Sequence, residues 1–246
     1  MSATGPLRWE QRDDHLFATL SRPEARNAID ADVIGRLHDL CAELEQRPQV
    51  LVLTGAGGIF AAGADISQLR ERRSMDALRG INSRAFDRLA KLPMPTIAVV
   101  DGAAVGGGAE LAYACDLRIA TPAASFANPE PGLGIIAGAG AGWRLRELVG
   151  GSVARQVLLA GRRIDADAAL RLGLVLDVIE PEAALAFAAK LATRIAASAP
   201  DAIRLTKLVL STPEAAHPAI DDIAQAVLFG SDEATRRMTA FLEKTS

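Results

Sequence analysis

Short apolar runs alternate with stretches of helical spacing over the first 180 residues, and this alternation most limits what the chain can fold into. Val50–Thr54, Thr96–Val100 and Leu117–Ala120 each read as a buried strand, and His15–Leu20 as a further one. From Asp30 to Gln46 the apolar residues Val33, Ile34, Leu37, Leu40, Cys41 and Leu44 follow a 3.6-residue period, with Asp30 as an N-cap. A second helix is expected from Ile66 to about Ala90, stopped by Pro93 and Pro95. A third, short one opens at the glycine run Gly106–Gly108. Strands separated by helices pair through crossovers, which implies an α/β fold with parallel strands. Beyond Gly140 the strand signals fade except at Leu174–Ile179, and Pro181 to Lys244 is almost all helical in period. The expected organisation is an α/β core over residues 1–180 and a helical C-terminal region over 181–246.

The 246 residues are 50% hydrophobic, enough for a sizeable core. Twenty-seven basic against 30 acidic side chains give a net charge of −3, which offers no global attraction to nucleic acid or anionic lipid. Any phosphate must therefore be held by local charges. Cys41 and Cys115 lack the paired spacing of a zinc or redox motif and read as small buried hydrophobes. The first 14 residues hold no apolar core of the signal-peptide kind, and no apolar run reaches the roughly 18 residues of a membrane span. A cytoplasmic protein without membrane partners is expected.

Three segments carry the chemistry: Phe60-Ala61-Ala62-Gly63-Ala64-Asp65-Ile66, Asp101-Gly102-Ala103-Ala104-Val105-Gly106-Gly107-Gly108-Ala109-Glu110, and Phe126-Ala127-Asn128-Pro129-Glu130-Pro131-Gly132-Leu133-Gly134. Each lies after a strand or at the mouth of a helix, where ligands of α/β folds gather. Glycines before a helix expose bare backbone, and the helix start adds unpaired N–H groups. Two such groups aimed at one carbonyl oxygen would stabilise an enolate. The glycine run lacks the Gly-Lys-Ser/Thr of a phosphate loop and the third glycine of a dinucleotide fingerprint. Glu110 sits in an apolar stretch, where an ionisable group needs a reason. Glu130 stands between Pro129 and Pro131 on a stiffened turn, suited to a positioned acid or base. Taken singly, each has a bland alternative: a helix-start charge for Glu110, a solvated turn residue for Glu130.

Taken together and in order, these segments resemble the enoyl-CoA hydratase/isomerase (crotonase) family. The resemblance extends to Arg22-Pro23-Glu24-Ala25-Arg26-Asn27-Ala28-Ile29, to Gly138-Ala139-Gly140-Ala141-Gly142 and to Ala240-Phe241-Leu242-Glu243-Lys244, nearly the whole chain. It implies a spiral of ββα units with a C-terminal helical trimerisation region, and a trimer or dimer of trimers. It implies an acyl thioester carbonyl held by the backbone N–H groups of Ala64 and Gly107. Coenzyme A, as part of the substrate, would bind bent, its adenine near Ala62, Asp65 and Ile66. Arg26 falls where relatives carry a basic residue near the coenzyme's phosphates, and Lys244 at a basic position near the 3′-phosphate. Glu110 and Glu130 fall at the two positions that hold one water in family hydratases. The implied reaction is syn addition of water to a trans-2-enoyl-CoA: Glu110 takes the water's proton and Glu130 supplies the α-carbon's. It needs no metal or redox cofactor, and His15, His38 and His217 lie outside the segments and read as solvated or packing residues.

The sequence departs from the family after Gly140. The common Gly-Gly-Thr-Gln is here Gly140-Ala141-Gly142-Trp143, and Trp143 reads as a packing residue at a helix start, with a reshaped acyl pocket or a subunit contact as alternatives. Arg70, Arg72 and Arg73 read as a solvated helix face or as neighbours of the coenzyme entrance. Other reactions of the same family stay open, namely double-bond isomerisation, C–C cleavage and thioester hydrolysis, as does a non-catalytic CoA-binding subunit. Possession of both glutamates favours hydration.

Overall fold

The computed structural model describes residues 4–245, the side chains of 244 and 245 excepted. Its main sheet has the order β1 (Leu7–Gln11), β2 (His15–Leu20), β3 (Val50–Gly55), β4 (Thr96–Val100) and β6 (Leu117–Ala120), all parallel from β2 onward, with β1 added antiparallel at the edge. A smaller sheet joins β5 (Ala103–Val105), β7 (Ser125–Ala127) and β8 (Ile164–Asp165). Of the five strands expected from the sequence, three match residue for residue, Val50–Thr54 runs one residue further, and Leu174–Ile179 does not form. β1 and the two- and three-residue strands of the second sheet are too short or too polar to stand out by period.

The chain passes from one sheet to the other in a repeating way. After β3 it forms single parallel bridges at Ala61 (to Ala104) and Ala64 (to Ile29), then enters helices. After β4 it forms β5 and enters α5 (Gly107–Ala114); after β6 it forms β7 and enters a short 3-10 turn at Glu130–Leu133. Three successive turns of this spiral thus place Ala64, Gly107 and Glu130 at equivalent points, just past the short strand.

Side chains alternate across β3 and β4, as a pleat requires. Leu51, Leu53, Ala98 and Val100 face the main core with α1 (Ala31–Gln46), while Val50, Val52, Ile97 and Val99 face the other side. There they meet Ala184, Ala188 and Ala192 of α8 (Pro181–Ala196), small residues at i, i+4 and i+8 that let the helix lie close to the sheet. Asp30 caps α1 by accepting from Val33 N (2.8 Å), as its position predicts. Lys207 of α9 (Pro200–Leu210) reaches Asp116 (2.7 Å) and ties that helix to the core. The rest of the C-terminal region is α10 (Ala219–Phe229) and α11 (Asp232–Thr245). Among the described residues no helix is long and apolar enough to cross a membrane.

Two expectations are corrected. The helix from Ile66 to Ala90 is three helices: α2 (Ile66–Glu71), α3 (Ser74–Arg79) and α4 (Ile81–Ala90). Extended backbone at Arg72 and Arg73 makes the first break, and left-handed Gly80 (φ 64°) the second. Leu174–Ile179 is not a strand. It lies along β6 through Leu176 N to Arg118 O and Ile179 N to Ala120 O, but only Val178 forms a bridge. The Asp177 side chain accepts from Val178 N (2.8 Å), and Pro181 starts α8 at once, leaving no length for a ladder.

Candidate active site

A cavity of about 590 Å³ lies where the three turns of the spiral meet. Its walls include Ala62, Ala64, Ile66, Gly107, Glu110 and Glu130. Arg26 and Asp65 are not among its walls, and the Lys244 side chain lies outside the described residues.

The three glycines before α5 have three different reasons. Gly106 has φ 52° and ψ −123°, a conformation reserved for glycine, and a Cβ there would stand 3.0 Å from Glu130 Oε1. Gly107 starts the helix; a Cβ on it would lie 3.5 Å from Ala64 N. Gly108 allows α5 to touch the neighbouring turn, since its Cβ would fall 2.2 Å from Ala61 O. The run is therefore a switch of backbone direction, a bare amide and a close contact in succession.

Ala64 N–H and Gly107 N–H make no hydrogen bond among the described residues. For Ala64 the cause is the parallel bridge to Ile29: the bonds run from Ile29 N to Gly63 O (2.7 Å) and from Asp65 N to Ile29 O (3.1 Å), so Ala64's own N–H faces the other way. For Gly107 it is the first turn of a helix, where amides have no intrahelical acceptor. Both amides border the same space.

Glu130, 8% exposed, is not a solvated turn residue, and Glu110, though it stands in the first turn of α5, is only 3% exposed. Glu110 Oε1 accepts from Ala139 N (2.7 Å) and Ala141 N (3.1 Å). Burial pushes its carboxyl up to about 7; Glu130 adds to the rise, and the two amides and Arg144 oppose it. Burial also raises Glu130, whose Oε2 has no hydrogen-bond partner among the described residues. Two buried carboxylates, one of them raised by the charge of the other, favour a state with one proton between them.

Sequence reasoning missed the groups that hold this pair. Arg144, 5% exposed, donates to Ala139 O (3.1 Å) and lies 3.5 Å from Asp87. It thus braces the loop whose amides grip Glu110. Its signal was an arginine one residue past Trp143 in a helix start, easily taken for a surface charge. Tyr113 OH bonds Asn128 Oδ1 (3.3 Å), leaving Asn128 Nδ2 buried and unpartnered two residues from Glu130. Arg72 is not a freely solvated charge: it is half-buried, lines the cavity and donates to the buried Asn82. Trp143 lies outside the main cavity. It is half-exposed, lines a smaller cleft with Arg84 and Asp87, and packs beneath the Arg144 guanidinium (4.0 Å).

Ala62 N donates to Arg26 O (3.0 Å), which brings Arg26 beside the cavity's rim by its backbone. The Arg26 side chain is exposed and forms no ion pair among the described residues. Asp65 caps α2 by accepting from Ser67 N (3.0 Å) and Gln68 N (3.3 Å).

The family model for enoyl-CoA hydratase/isomerase matches residues 16–246. The chain is 39% identical over 244 residues to a short-chain-enoyl-CoA hydratase of Clostridium acetobutylicum, covering 96% of this chain and 94% of that one. It is 38% identical to a crotonyl-CoA hydratase of Syntrophomonas wolfei, covering 96% and 94%. Among solved structures, the enoyl-CoA hydratase subunit I of Geobacillus kaustophilus superposes with a TM-score of 0.92 at 34% identity, over 99% of this chain and 97% of that one. Fold, family model and relatives agree, and the chain belongs to the enoyl-CoA hydratase/isomerase (crotonase) family.

Proposed function

We propose that this protein is an enoyl-CoA hydratase that adds water syn across the double bond of a trans-2-enoyl-CoA to give a 3-hydroxyacyl-CoA. The observation that carries the reading is the meeting of two buried, mutually repelling carboxylates with two unpaired amides at one cavity. The thioester oxygen would accept from Ala64 N–H and Gly107 N–H, which lowers the energy of the enolate. Glu110, ionised, takes a proton from water as the oxygen bonds to C3. Glu130, protonated, gives its proton to C2. The pair ends with its single proton on the other partner, so atoms and charge balance. The similarity to a short-chain-enoyl-CoA hydratase and a crotonyl-CoA hydratase supports the same reaction. No metal or redox group is called for.

Coenzyme A would enter past Ala62 and Ile66, with Asp65 shaping the turn and Arg26 offering a free cation to its phosphates; Lys244 is the second candidate cation. The C-terminal helices support assembly into a trimer or dimer of trimers. Leu208, Leu210, Ile223, Val227 and Phe229 are each at least half exposed, more apolar surface than a lone chain usually shows. Two buried free thiols, Cys41 and Cys115, suit a reducing cytoplasm.

The test is loss of enoyl-thioester absorbance with crotonyl-CoA. Wild type must turn over, and both Glu110→Gln and Glu130→Gln must collapse. Near-full rate in either variant sinks the two-carboxylate mechanism; isomerisation, which one carboxylate can serve, would then be the better reading.

A further inference from the structure

The cavity's inner wall holds a cation that the hydration chemistry does not use. Arg72 ends α2, and its side chain turns inward: Nη2 donates to Asn82 Oδ1 (3.0 Å). Asn82 is buried on α4, and its Nδ2 lies 3.7 Å from where a Cβ on Gly107 would stand. The Arg72 guanidinium therefore sits one hydrogen bond beyond a group close to Gly107, whose amide the proposed function gives to the thioester.

Arg72 forms no ion pair among the described residues. Three carboxylates line the cavity with it. Asp76 accepts from Arg73 N (2.9 Å) and Arg79 (3.3 Å), Glu110 is held by the 139–141 loop, and Glu130 stands beside Gly106. Among the described residues one of five guanidinium N–H groups is spoken for, and the forked face suited to a carboxylate has no partner. The wall also carries the apolar Leu69, Ala77, Ile81, Leu133 and Ile136 and the polar Arg73, Ser74 and Ser83; Arg73 is exposed, so Arg72 is the half-buried cation of the two. A wall built only for a short alkyl tail would gain nothing from a half-buried arginine anchored by a buried asparagine.

We infer that Arg72, held by Asn82, is a specificity-determining residue that admits short 2-enoyl thioesters whose far end carries a carboxylate. The inference rests on the acyl-CoA reading of the same cavity. A carboxylate bound there gains a charge-assisted, two-pronged contact, whereas without Arg72 it would lose the half-buried cation of that wall.

The experiment compares binding of two saturated, six-carbon thioesters that differ only at the tail: hexanedioyl-CoA and hexanoyl-CoA. Their coenzyme phosphates are identical, so contacts to coenzyme A cancel. Calorimetry on the wild type should show hexanedioyl-CoA bound at least about tenfold more tightly, and Arg72→Gln should cut that ratio about 10- to 100-fold. Arg72→Lys should keep part of it, since the charge remains but the fork is lost. A wild type that binds both equally overturns the inference, and this arm needs no variant to fold. A ratio unchanged in Arg72→Gln overturns it too, as does equal weakening of both thioesters, which would assign Arg72 to the coenzyme. Because neither probe is turned over, a tail preference without hydration of crotonyl-CoA defeats only the hydratase reading. Hydration without the preference defeats only this inference.

Discussion

The two walls of the cavity are built differently. The floor, formed by the start of α5, the Glu130 turn and the 138–141 loop, is fixed by backbone: glycine contacts too close for a side chain, amides gripping Glu110, and Arg144 bracing the loop. The roof, α2 and α3, consists of two six-residue helices without a single buried residue, and Ile66, Met75 and Leu78 are 60–73% exposed. Helices this short are marginal unless packing holds them. The difference separates two tasks. Proton transfer needs atoms fixed to a fraction of an ångström, while acceptance of an acyl tail tolerates side chains that adjust. Floor substitutions should therefore change kcat, and roof substitutions KM.

The largest effect belongs to the floor's carboxylates. Glu110→Gln and Glu130→Gln should each lower kcat for crotonyl-CoA by about 10²–10⁴-fold while KM stays within a few-fold. Next comes Gly106→Ala. It forces φ 52° on a side-chain-bearing residue and sets a methyl against Glu130 Oε1, costing about 1–3 kcal/mol of stability. Its kcat should fall by more than the stability loss explains, measured well below the melting temperature; a variant that loses stability but keeps full kcat would show that Glu130 is not placed by this contact.

Glu110 also makes a prediction in pH. Its folded pKa, about 7, lies above the ordinary glutamate value of 4.5. The folded state thus binds the proton more tightly, so stability is fully present below about 4.5 and is lost as pH rises through 7. Glu110→Gln escapes that loss, because Gln Oε1 still accepts from Ala139 N and Ala141 N. The variant should match the wild type near pH 4 and exceed it at pH 8 by something on the order of 2 kcal/mol, read from melting temperatures across pH. The same titration should limit catalysis: kcat/KM of the wild type should fall as pH drops below about 7, since Glu110 must be ionised to take the water's proton.

How legible all this was in the sequence follows the same division. The main strands, α1 with its Asp30 cap, and the direction change at Gly106–Gly108 are local patterns, and they stand where the residues put them. The pairing of Glu110 with Glu130 was legible only through the family resemblance, because 20 residues and a change of sheet separate them. Arg144, Asn128 and Asn82 were not legible. Each acts by touching something distant in the chain, and an arginine or asparagine carries no periodic signal of burial. Of the two readings of Arg72, the solvated helix face fails because a single helix was assumed to run through it; the break at Arg72 and Arg73 is what turns the side chain inward.

The smallest effect tests the roof alone. Asp65 caps α2 through Ser67 N and Gln68 N and touches none of the reacting groups. Asp65→Ala removes the cap of a six-residue helix that has no buried face to compensate, so the segment from Ile66 to Arg72 should spend less time in its bound arrangement. In the proposed binding mode, only the coenzyme's approach and the Arg72 contact would depend on that segment; Glu110, Glu130, Ala64 N and Gly107 N are held from other directions. KM for crotonyl-CoA should rise roughly two- to tenfold with kcat unchanged, the signature of binding lost equally from ground and transition states. A drop in kcat of the same size with KM constant would mean that the cap reaches Ala64's amide one residue away, and the division between a fixed floor and an adjustable roof would fail at that joint.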